Sequence, residues 1–86
     1  MSIDEIFDIV SEQKPNVTIH FIYEPKEGTY IIIAPDTKKA DIYSPCSYIL
    51  KAGVNKVKLF NPIEYMDFWA EWTDKSNLIY SAIENV

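Results

Sequence analysis

The sequence predicts an α+β domain: an N-terminal helix, an antiparallel sheet of four to five strands, and a C-terminal helix packed on the sheet. Three observations predict it. A helical apolar period follows a capping motif over residues 3–13. Runs of β-branched and aromatic residues, broken by turn residues, fill residues 17–60. An Asn-Pro start then opens a second helical pattern at residue 61.

Ser2-Ile3-Asp4-Glu5 reads as a capping box, in which the Ser2 hydroxyl accepts an orphan backbone N–H and Glu5 reaches back. Ile3, Ile6, Phe7 and Val10 share one helix face, and Asp4, Glu5, Asp8 and Glu12 lie opposite. Acids in the first turn also suit the positive end of the helix dipole. Pro15 closes the segment, giving a helix over 3–13.

Val17 to Tyr23 reads as a strand, Glu24-Pro25-Lys26-Glu27-Gly28 as a turn, and Thr29 to Ala34 as the returning strand. The run Ile31-Ile32-Ile33 predicts that this second strand is covered on both faces. Pro35 to Lys39 reads as a turn, and Ala40 to Ser44 as a short strand. A second hairpin is expected from Tyr48–Lys51 and Lys56–Phe60 around Ala52-Gly53-Val54-Asn55. In Lys56-Val57-Lys58-Leu59 the alternation sends the lysines to solvent and Val57 and Leu59 inward.

Asn61-Pro62-Ile63-Glu64 combines an N-cap residue with proline at the first helical position. The helix is expected to run to about residue 84, with the weak helix formers Thr73 to Asn77 as the place where it would kink or split. At about 100° per residue, Glu64, Asp67, Glu71 and Asp74 fall within roughly 80° of arc. Ile63, Tyr65, Met66, Phe68, Trp69, Ala70 and Trp72 spread over roughly 220°, whereas one sheet needs little more than about 100°. The surplus asks for another apolar surface: the first helix, a second subunit or a partner.

The chain has 86 residues and a net charge of −5, enough for one small domain, 1–86. Its 48% hydrophobic and 14% aromatic content is that of a folded globule. Charge is uneven: residues 1–13 carry −4, residues 14–60 carry +3, and residues 61–86 carry −4. All 8 basic residues are lysine, so bidentate guanidinium reading of guanine or phosphate is ruled out. No apolar run reaches membrane-span length, and the N-terminus has no signal-peptide pattern. With a single cysteine, Cys46, the chain has no disulfide framework and suits a reducing cytoplasm, or a host's cytoplasm if the protein is viral.

Little here suggests an enzyme. His20 reads as a satisfied or edge histidine in an apolar strand, and Cys46 as a small buried or inert thiol. One histidine and one cysteine show no metal-ligand spacing, and two glycines make no phosphate-cradling loop. No catalytic residue, metal or cofactor is therefore expected.

The expected function is that of a small acidic binding protein. Glu64, Asp67, Phe68, Trp69, Glu71, Trp72 and Asp74 would form its contact with a partner protein that presents a basic surface. A specific version is an inhibitor, phage- or mobile-element-encoded, that blocks a nucleic-acid-handling protein. The mildly basic middle of the chain argues against a full nucleic-acid mimic. One alternative is a virion or homo-oligomer subunit, such as a homodimer, that buries the same aromatic face. A second is weak single-strand binding by Lys51, Lys56 and Lys58 near Tyr48 and Phe60, which the acidic pI of about 4.6 disfavours.

Overall fold

The computed structural model describes residues 1–34, 47–60 and 70–82. The first element, helix α1, spans Ile3–Gln13, as the capping box predicts. Ser2 is its N-cap, and the Ser2 Oγ accepts the Glu5 N–H at 3.2 Å. Ile6 and Val10 are buried, whereas Asp4, Glu5, Asp8 and Glu12 are exposed. The helix stops at Lys14, whose N–H still reaches the Val10 carbonyl at 2.6 Å, because Pro15 cannot continue the ladder.

Among the described residues five antiparallel strands follow: β1 (Phe21–Lys26), β2 (Thr29–Ile33), β3 (Ser47–Lys51), β4 (Lys58–Leu59) and β5 (Leu78–Ser81). Their order in the sheet is β4-β3-β2-β1-β5, so the isoleucine-rich β2 is central. Register places Tyr80, Ile22, Ile32, Tyr48 and Leu59 in one row across the sheet. This is the face that α1 covers, with Ile6, Val10, Ile22, Tyr30, Ile32, Tyr48 and Leu50 in one core. Phe7 meets Tyr80 edge to face at 5.0 Å between ring centroids. The far face is covered too. Ile31 is 0% exposed there, and Phe60 only 1%.

The β1–β2 hairpin is tighter than its sequence suggests. Glu24 and Pro25 do not turn; β1 runs on to Lys26, which pairs with Thr29. Between the Tyr23–Ile31 and Lys26–Thr29 pairs, Glu24 and Pro25 together oppose Tyr30 alone. That is a bulge, and a bulge tolerates a residue without an N–H. Gly28, with φ 81°, supplies the turn.

Two other expectations need correction. Leu59 is not inward: it pairs with Tyr48 on the helix side, but at the edge of the sheet it remains 57% exposed. Val57, on the same side, is buried in the core with Ile6 and Val10 of α1. The C-terminal helix does not run to residue 84. Ala70 to Trp72 are helical, a 3-10 turn η1 occupies Lys75–Asn77, and β5 follows. Asp74 caps η1 and Leu78-Ile79-Tyr80 suit a strand, so the weak helix formers end the helix instead of kinking it. The expected strand Ala40–Ser44 lies outside the described residues.

Candidate functional site

Three of the expected contact residues, Glu71, Trp72 and Asp74, lie on the sheet face away from α1. Glu64, Asp67, Phe68 and Trp69 lie outside the described residues. The helix that carries Glu71 and Trp72 ends against Asn77, whose Nδ2 donates to the Glu71 carbonyl at 3.0 Å and to the Trp72 carbonyl at 3.4 Å. These bonds satisfy carbonyls that a helix end leaves without an intrahelical partner.

Asp74 is no part of a helical acid seam. It has left the helix, with φ −61° and ψ 144°, and caps η1 by accepting the Ser76 N–H at 2.9 Å. This backbone bond, with the Ser76 side chain adding to it, holds the Asp74 carboxyl below the usual carboxylate range. Asp74 is therefore ionised at neutral pH, exposed and fixed in place.

Trp72 is half-buried. Its ring packs on Phe60, with centroids 5.7 Å apart, and the Lys26 ammonium sits 5.7 Å from its centre. Phe60 donates its N–H to the Ser47 carbonyl, continuing the β3–β4 ladder on the face that carries Ile31. Helix α1 lies across the sheet from Trp72 and is not the second apolar surface that this residue needs. Pro25, Lys26, Glu71, Trp72, Asp74 and Asn77 line an open concavity of about 330 Å³. Sequence alone does not point to Lys26 and Pro25, because Glu24-Pro25-Lys26-Glu27-Gly28 has turn composition whereas β1 continues through a bulge to Lys26.

The lysine-bearing hairpin resolves differently from its sequence. Lys51, Lys56 and Lys58 do come together, around Ile49 and Val54, in a cleft of about 310 Å³. Their expected aromatic companions do not join them. Tyr48 is buried on the α1 side, with the Lys14 ammonium 5.7 Å over its ring, and Phe60 is buried against Trp72. Neither ring offers the exposed platform on which a base stacks.

His20 behaves as a strand residue. Its N–H donates to the Ile33 carbonyl at 2.7 Å and its carbonyl accepts the Ala82 N–H at 2.9 Å, extending the ladders on both sides of β1. Cys46 lies outside the described residues. Among the described residues no group of three or more His, Cys, Asp or Glu could hold a metal ion. Among the same residues no helix is long and apolar enough to cross a membrane.

Comparison with protein-family models, curated proteins and solved structures gave no match.

Proposed function

We propose that this chain is a non-enzymatic binding protein that docks on the basic surface of a partner protein through its Glu71–Asp74 segment. One observation carries the reading: a half-exposed Trp72 ring, backed by Phe60, shares one concavity with two exposed carboxylates. An aromatic anchor rimmed by fixed charge is the anatomy of an interface hot spot. The Asn77 and Asp74 bonds hold the segment before it binds, which lowers the ordering cost of association.

In this proposal Glu64, Asp67, Phe68 and Trp69 enlarge the same contact. The partner is a nucleic-acid-handling protein, whose basic surface the chain blocks in the manner of a phage- or mobile-element-encoded inhibitor. Exposed carboxylates steer such an encounter, so association weakens as salt screens them. The test is affinity for a purified partner captured from the source cell. Trp72→Ala is expected to cost more than Asp74→Ala, since the ring contributes buried area and Asp74 a rim charge. Equal, negligible losses would refute the assignment.

A further inference from the structure

The lysine-lined cleft is a second charged feature, on the same sheet face as Trp72 but at the β3–β4 edge. Register places Lys58 beside Ile49, and Lys51 on the same face two residues on. Lys56 completes the cleft, and Val54 at its rim is 59% exposed. Among the described residues none of these lysines has an acidic partner. Like charges gathered on neighbouring strands repel one another, and an anionic occupant would relieve that repulsion.

The chain carries a matching counterpart. Asp4, Asp8 and Glu12 fall four residues apart along the solvent side of α1, all exposed and none ion-paired among the described residues. Acids four apart on a helix are separated by about 6 Å of axial rise. Lys51 in β3, Lys58 in β4 and Lys56 in the loop before β4 gather their positive charges around one cleft. The two surfaces therefore oppose in sign. They cannot meet within one molecule, because the sheet lies between them: α1 covers the Ile32–Tyr48 face, and the cleft opens on the Ile49 face.

We propose that the Lys51–Lys56–Lys58 cleft receives the acidic row of α1 from a second copy of the chain, giving head-to-tail association. Such a contact is heterologous: each copy uses one surface to give and a different one to receive. It extends into a ring or an open chain and does not stop at a two-fold dimer. It is also electrostatic, so it operates at low ionic strength and disappears when salt screens it.

The test is the average mass of the full chain in solution, by sedimentation equilibrium, at about 20 mM and about 500 mM salt. The screening length falls from roughly 20 Å to roughly 4 Å over that range. The expected result is a mass that rises with concentration above the 10.0 kDa monomer at low salt and returns to it at high salt. Lys56→Glu/Lys58→Glu and Asp8→Lys/Glu12→Lys, all at exposed positions, should each abolish the rise, and mixing the two variants should restore it. Circular dichroism establishes that both variants are folded; if either is not, the salt series on the unaltered chain decides alone. A 10.0 kDa monomer at every concentration in low salt overturns the proposal. So does a mixture of folded variants that stays monomeric. Binding of inorganic polyphosphate or a single-stranded oligonucleotide at these lysines, with the chain still monomeric, would assign the cleft to another occupant and also overturn it.

Discussion

Gln13 holds Val57 as a neighbouring strand would: its Oε1 accepts the Val57 N–H at 2.7 Å, and its Nε2 donates to the Asn55 carbonyl at 2.7 Å. The last residue of α1 thereby fastens the β3–β4 loop, where Asn55 adopts a φ of 54°. A helix end and a hairpin far apart in sequence become one unit.

Gln13→Ala removes both bonds and leaves the Val57 N–H without its protein partner. At a net value near 1 kcal/mol per bond, a loss of about 1–2 kcal/mol is expected in urea unfolding. Gln13→Glu keeps the acceptor and loses the donor, so it should fall between. An alanine variant as stable as the parent would show that the loop holds itself.

The β1–β2 turn makes a claim about backbone, not space. A Cβ on Gly28 would meet the Ala52 Cβ at 3.6 Å, an ordinary contact, while a Cβ on Gly53 would meet nothing within 4 Å. Both glycines have positive φ, 81° and 87°. Alanine at either position should cost a similar amount, about 1–2 kcal/mol, from the left-handed backbone alone. A much larger cost at Gly28, measured by thermal unfolding, would mean that crowding decides.

Tyr30 predicts an alkaline limit. Burial raises the pKa of its phenol, and the negative charge of Glu24 adds to the shift. A group raised in the folded state contributes stability that is fully present below its unfolded value, about 10, and is lost as pH rises past it. Tyr30→Phe gives up the bond to the Met1 carbonyl but should flatten the decline in stability above about pH 10. Parallel curves for the two proteins in that range would contradict the assignment.

These features were unequally legible in the sequence. Helix α1 was readable to the residue, because its cap, its apolar row and its proline stop are all local. The central place of β2 was readable too, since three consecutive isoleucines need cover on both faces. The C-terminal half was not. Asn61-Pro62 announces a helix start, but the end depends on Asp74 and Asn77 turning their side chains back onto the backbone, a competition that periodicity does not register. Leu78-Ile79-Tyr80 then has to find β1, fifty-odd residues away in the chain, through a register shift that leaves Ile79 opposite no residue.

The candidate site follows the same division. Trp72 and its neighbouring acids could be named from composition and spacing. Their arrangement could not, because Asp74 belongs to a turn and Lys26 arrives through a bulge. The lysines of the second hairpin did gather, as alternation requires. Their aromatic neighbours did not join them, because the same alternation turns Tyr48 to the other face.

The most direct measurement is the affinity of Glu71→Gln/Asp74→Asn for the purified basic-surfaced partner across a salt series. Both substitutions remove charge and keep shape, and asparagine preserves the cap on η1. The expected affinity is at least roughly tenfold weaker than the parent's at low salt, with a shallower dependence on salt. Unchanged affinity and an unchanged salt slope would contradict the claim that this segment is where the protein binds.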